Sequence, residues 1–250
     1  MKHWMASLFF SGAMAVTSFA AGRNVDLIFI GDSITWHKTP ANSAGEYLRT
    51  CEGIGEVRVC NEAHNGHTTV NYLPENGPNE QGIRQAWESL GGATNGNLIV
   101  FSIMLGTNDS AFKGPLGAPV ATTNYHANLK LLIERWHKLA PGAIFVVNYP
   151  IWYSSNTHNG ACYLQDGQDR LRSYFPEIKS LVAEFTQTMP GKVFEGSDEG
   201  WDYFEKTHLE TMGHEKGPAG VFFLHPNRNG GMQLGKFWGK VIYRCVGQVR

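Results

Sequence analysis

An α/β domain with five strands alternating with helices is the fold class predicted by three features of the sequence. Apolar stretches of strand length recur at residues 25–30, 56–60, 98–105, 143–147 and 192–194. The stretches at 25–30 and 98–105 are almost continuously apolar, as strands of a parallel sheet covered on both faces are. Between the stretches lie segments with helical spacing, closed by Gly or Pro. With 42% of 250 residues apolar and 12% aromatic, there is material for one large core, so a single domain is expected.

The chain opens on Met1-Lys2-His3 and an apolar, small-residue run from Trp4 to Phe19, ending Ser18-Phe19-Ala20-Ala21. This predicts a secretory signal peptide over residues 1–21, too short to read as a membrane span, with residues 22–250 as the mature domain, secreted or periplasmic. An uncleaved anchor or a buried first helix is the competing reading.

Val25 to Ile30 is β-branched and aromatic apart from Asp26, and Gly31 lets such a strand turn sharply into Asp32-Ser33. A helix capped at Asn42 or Ser43 and running to about Arg49 follows, then a strand over Glu56–Cys60 whose alternation suits an edge position. Residues 74–82 read as a surface loop, Ile83 to Leu90 as a helix stopped by Gly91-Gly92, and Leu98 to Leu105 as the central strand. Tyr125, Leu129, Leu132, Ile133, Trp136 and Leu139 recur at helical steps, predicting a helix over 119–139 with one buried face. A strand over 143–147, a helix over 168–188 interrupted or kinked at Pro176, a short strand at 192–194, an irregular segment over 197–224 and a closing helix over 231–243 complete the chain.

Lys and Arg are dispersed and the net charge is −1, so neither nucleic acid nor an anionic membrane surface is the expected partner. No segment after the first 21 residues reaches the length of a membrane span. Cys51, Cys60, Cys162 and Cys245 are an even number in a chain read as exported, so disulfides are expected. Three pairings are open. Cys51 and Cys60 flank a helix-to-strand turn, and their pairing would leave Cys162 with Cys245.

The loops leaving parallel strands collect along one sheet edge, which brings Ser33, Gly66, Asn108 and His225 towards one another. That set has the composition of an acyl-transfer site. A serine hydroxyl needs a base, and imidazole suits that task near neutral pH. The Ser33 N–H, the Gly66 N–H and the Asn108 amide could receive a developing oxyanion, each donor being worth roughly 3 kcal/mol of barrier.

Gly31-Asp32-Ser33, the Gly66 loop, Gly106-Thr107-Asn108-Asp109 and His225-Pro226-Asn227 stand in this order along the chain. In that order they resemble the four sequence blocks of the SGNH hydrolases, also called the GDSL esterase/lipase family. The resemblance implies a flavodoxin-like three-layer α/β/α sandwich on a five-stranded parallel sheet. It also implies Ser33 as nucleophile, His225 as base, an oxyanion hole of Ser33, Gly66 and Asn108, and no cofactor or metal. The family usually places an Asp three residues before the catalytic His, and here Phe222 holds that position. A backbone carbonyl, or one of Asp198, Glu199, Asp202, Glu210 and Glu215, is left to orient His225.

Trp36, Trp152 and Trp201 follow strand ends on the active edge and are candidate sugar-stacking residues, with Tyr153 and Tyr203 beside them. His64, His67, His208 and His214 are the histidines a metal would use, but the esterase reading needs no metal. Asp109 is expected to brace its own turn. The Leu-His-Pro-Asn ending is similar to that of the family's carbohydrate and sialate acetylesterases. The expected function is therefore a serine esterase removing small acyl groups, acetyl first, from an acylated carbohydrate. A lipid-directed hydrolase or thioesterase of the same fold and a non-catalytic glycan-binding protein are the rival readings.

Overall fold

The structure, a computed structural model, describes residues 22–249; the expected signal peptide lies outside them. In chain order the elements are β1 (Arg23–Gly31), α1 (Ser33–Trp36), α2 (Thr39–Arg49), β2 (Ile54–Asn61), α3 (Pro78–Ser89), β3 (Leu98–Met104), α4 (Thr122–Leu139) and β4 (Ile144–Val147). They continue as α5 (Leu164–Thr188), β5 (Val193–Glu195), α6 (Glu199–Thr211), β6 (Glu215–Gly217), β7 (Gly220–Phe222) and α7 (Arg228–Gln248). Strands β1 to β5 form one parallel sheet in the order β2-β1-β3-β4-β5, the doubly wound order, with β2 at an edge as its alternation predicts.

Side-chain alternation along the strands divides the core into two layers. Ile28, Ile30, Phe101, Ile103, Phe145 and Val147 face α3, α4 and α5, meeting Ile83, Leu132, Trp136 and Leu181. Leu27, Phe29, Val100 and Val146 face α2 and α7, meeting Leu48, Leu234, Trp238 and Ile242. Each such side chain contributes about 1.5–3 kcal/mol by leaving water. Asp26, fully buried within β1, is held by two Arg58 bonds of 2.7 Å and by Asn95 and Asn97. Burial alone would raise its pKa; those partners outweigh burial and lower it.

Several boundaries differ from expectation. α2 starts at Thr39, with Pro40 in its first turn, instead of at a cap on Asn42 or Ser43. Residues 78–82 belong to α3, with Pro78 near its start after an extended Gly77. α5 starts earlier, at Leu164, and runs through Pro176 as one element. α7 starts at Arg228, capped by the Asn227 side chain. The stretch 197–224 is not irregular: it holds α6 and the β6–β7 hairpin.

The expected disulfides are absent, and all four cysteines are free. β2 carries Cys60 away from the turn at about 3.3 Å per residue, roughly 20 Å in all, whereas Cys51 stays just past α2 and donates to Tyr47 O. Cys245 is buried against the α7 face of the sheet, and Cys162 lies in the loop that pairs with Lys113. No helix among the described residues is long and apolar enough to cross a membrane.

Candidate active site

β1 ends at Gly31, where a Cβ would stand 2.8 Å from Met104 O, so the strand closes onto its neighbour only without a side chain. Asp32 then caps α1, its Oδ1 accepting the Ile34 N–H at 3.0 Å. This makes Ser33 the first helical residue, with no intrahelical acceptor for its own N–H. Burial raises the Asp32 pKa to about 6, although the Ile34 bond and the charge of His225 oppose it. Ser33 is half-buried and its hydroxyl faces the open end of the sheet.

His225 reaches it from the segment between β7 and α7. Ser33 Oγ lies 2.8 Å from His225 Nε2 across 192 residues of chain. On the other side of the ring, Glu215 Oε1 is 3.0 Å from Nδ1, and the same oxygen accepts the His225 backbone N–H at 3.2 Å. Of the five acids, Glu215 is therefore the one that faces the imidazole. β6 and β7 pair Glu215 with Phe222, so the carboxylate comes from the residue directly across the hairpin from the position three before His225. Phe222 itself is 1% exposed and packs in the core. Burial pushes the Glu215 pKa up, but the bonds and charge of His225 prevail and hold it below the ordinary range. An ionised carboxylate on Nδ1 leaves Nε2 to accept the Ser33 proton.

Gly66 and Asn108 line the same pocket, of about 350 Å³, with Ser33, Tyr163, Leu224 and His225. Gly66 has φ +72°, a left-handed conformation that glycine adopts without strain. Asn108 is buried; its Nδ2 donates to His67 O at 3.0 Å and its Oδ1 accepts from the Tyr163 hydroxyl at 2.7 Å. A carbonyl can only accept, so the amide orientation is fixed and one Nδ2 hydrogen is left for the pocket. Burial keeps the Tyr163 phenol protonated. The arrangement brings a hydroxyl, a base with its acid, and the residues Ser33, Gly66 and Asn108 expected to donate to an oxyanion around one hollow, the set that acyl transfer requires.

Asp109 turns away from the pocket. Its Oδ1 accepts the Thr69 N–H at 2.9 Å and also the Thr69 hydroxyl, and its own carbonyl takes the Val120 N–H. It thus braces the segment after Gly66 as well as its own turn. Burial raises its pKa to about 6, against the Thr69 bonds.

The tryptophans are not gathered here. Trp36 is exposed at the end of α1 with its ring edge-on to His37. Trp152 is buried and stacks near His208. Trp201 packs on Phe175 and under the Arg172 guanidinium. None of the three lines the pocket with Ser33. His64 and His67 lie ring to ring beside Tyr72, whereas His208 and His214 pack against Phe223, so the four form two separate pairs. Tyr163 and His37 line the pocket without having been singled out from the sequence. Tyr163 carries no motif, and His37 is visible only as the residue four after Ser33, one helical turn on.

Residues 29–231 match the GDSL-like lipase/acylhydrolase family. No curated protein matches the sequence. Among solved structures, a carbohydrate acetylesterase from Sinorhizobium meliloti superposes with TM-score 0.57 at 15% identity, over 89% of this chain and 99% of its own. An acetylxylan esterase from Geobacillus stearothermophilus gives 0.55 at 18%, over 92% and 98%. A lipase/acylhydrolase from Enterococcus faecalis gives 0.55 at 17%, over 90% and 97%. At these identities the likeness is one of fold.

Proposed function

The chain belongs to the GDSL-like lipase/acylhydrolase family, and from that premise we propose that it is a serine esterase releasing small acyl groups, acetyl first, from carbohydrate. The observation that carries the reading is the 2.8 Å approach of Ser33 Oγ to His225 Nε2, with Glu215 behind the ring. Ser33 Oγ attacks the ester carbonyl while Nε2 takes its proton. The oxyanion is met by the N–H groups of Ser33 and Gly66 and the Asn108 amide. Collapse breaks the bond to the sugar oxygen, which takes the proton from His225, and leaves the acyl group on Ser33. Water, deprotonated by His225, then attacks that ester and frees the acid and the serine.

A small acyl group is supported by the modest size of the pocket, about 350 Å³, which Ala161, Pro115 and Leu224 line together with Ser33. Two of the solved structures similar in fold are described as carbohydrate or xylan acetylesterases, which supports a sugar ester for this chain. A second reading, a longer acyl chain, is favoured by the exposed Phe112 and Leu116 on the loop carrying Pro115. The residues 1–21 pattern supports action outside the cytoplasm.

The test is acetate release from acetylated xylan, pectin and sialic acid by the wild type and by Ser33→Ala, with a chain-length series of nitrophenyl esters alongside. Acetate release lost in the variant, with two-carbon esters preferred over eight-carbon ones, is expected. Hydrolysis unchanged by Ser33→Ala removes the enzyme reading. Preference for eight carbons moves the substrate to lipid or thioester.

A further inference from the structure

Two hollows meet at His37. One holds Ser33, Gly66, Asn108 and His225; the other, of about 490 Å³, runs between the beginnings of α2 and α7. Ile34 and Pro226, the residues directly after Ser33 and His225, line this second hollow, whereas Gly66 and Asn108 line only the first. Thr39, Asn42 and Glu46 stand along it at three- and four-residue steps, one ridge of α2. Arg228, the first residue of α7, lines it with them.

Of the remaining polar side chains of this groove, Ser43 Oγ donates to Met232 O at 2.8 Å, Asn227 caps α7, and the His37 ring stands edge-on to that of His225, 5.8 Å between centroids. Thr39, Asn42, Glu46 and Arg228 make no such bond among the described residues, and Glu46 and Arg228 form no ion pair with each other. The groove therefore offers an acid, an amide, a hydroxyl and a guanidinium, all with unused hydrogen-bonding capacity. The expected oxyanion donors, Ser33, Gly66 and Asn108, line the other hollow.

In the proposed reaction His225 returns its proton to the departing oxygen, so the departing group must lie against His225. We propose that the groove between α2 and α7 is the leaving-group subsite and takes a polyhydroxylated ring, a sugar, whose hydroxyls donate to Glu46 and Asn42 and accept from Arg228. The inference rests on the esterase reading above and adds the surface that recognises the alcohol. An apolar alcohol would bury Glu46 and Arg228 without partners, at a cost a sugar avoids.

The experiment compares two acetate esters that share the acyl group: 4-nitrophenyl acetate, whose leaving group has no hydroxyl to offer, and an acetylated xylo-oligosaccharide. The full chain, Glu46→Ala and Arg228→Ala are assayed on both. Both side chains are exposed, so melting temperatures within a few degrees of wild type are expected and checked first. The ratio of kcat/KM for the sugar ester to that for nitrophenyl acetate should fall about tenfold in each variant, mainly through KM. An unchanged ratio in both variants, with wild type still releasing acetate from the sugar, overturns the subsite and leaves the esterase reading standing. A wild type that cleaves nitrophenyl acetate but no sugar ester overturns the subsite together with the carbohydrate reading.

Discussion

Glu215 Oε1 meets two N–H groups of one residue, His225 Nδ1 at 3.0 Å and the His225 backbone N at 3.2 Å. It fixes both the tilt of the ring and the path of the chain that carries it. Replacing the acid should therefore lower kcat and leave KM nearly as it is. Glu215→Gln, which keeps the shape but lets Nδ1 face an amide in the wrong tautomer, is expected to reduce kcat on nitrophenyl acetate by about 10²–10⁴. A variant retaining more than a tenth of wild-type kcat would assign the orienting role elsewhere.

The Asn108 amide is held from both ends, by His67 O and by the Tyr163 hydroxyl. Asn108→Ala removes a donor and should lower kcat by about 10²–10³. Tyr163→Phe removes only the bond that steadies the amide, of the order of 1 kcal/mol, so roughly a fivefold to tenfold loss is expected. Steady-state kinetics on a two-carbon ester decide the order. Equal losses in the two variants would mean that Tyr163 contacts the substrate itself.

The five parallel strands along the chain, the edge place of β2 and the meeting of Ser33 with His225 were legible because each rests on local chemistry. Continuous apolar runs mark covered strands, and loops after parallel strands share an edge. Glu215 was legible only as one acid in five, since selecting it requires the β6–β7 register that sets it across from Phe222. α6 escaped because three of the residues that turn inward at helical spacing are Gly200, Phe204 and Thr211, of which only one is a large hydrophobe. The early start of α3 had a signal, Pro78 at a first-turn position, which its Asn and Gly neighbours disguised as a loop.

Asp109 gives the fold a pH dependence with a definite sign. Its folded pKa is raised to about 6 from an ordinary 3.8, so between those values the folded state holds a proton that the unfolded state has lost. Stability therefore falls as pH rises through that window, by on the order of 3 kcal/mol for a fully buried group. Asp109→Asn keeps an oxygen for Thr69 and removes the titration. Asp32, raised likewise to about 6, keeps its share, so the fall in melting temperature between pH 4 and 6 should become shallower without vanishing. Profiles that run parallel for wild type and variant would show that Asp109 does not titrate there.

Gly231, Gly235 and Gly239 fall four residues apart on α7 and let it lie against α2 at Pro40, Ser43 and Tyr47. A Cβ on Gly235 would stand 2.3 Å from Pro40 O and 2.6 Å from Ser43 Cβ, and a backbone carbonyl inside a helix has nowhere to retreat. Helix propensity favours Ala over Gly by about 1 kcal/mol, while overpacking of this kind costs about 1–3 kcal/mol. The clash should win at Gly235, lowering the melting temperature by several degrees for Gly235→Ala. Gly247 lies on the same helix, near its end, with nothing within 4 Å of a built Cβ. There propensity acts alone, so Gly247→Ala should hold or raise the melting temperature. If Gly235→Ala proves as stable as Gly247→Ala, α2 and α7 are not packed backbone to backbone, and the groove between their first turns is wider than the structure gives it.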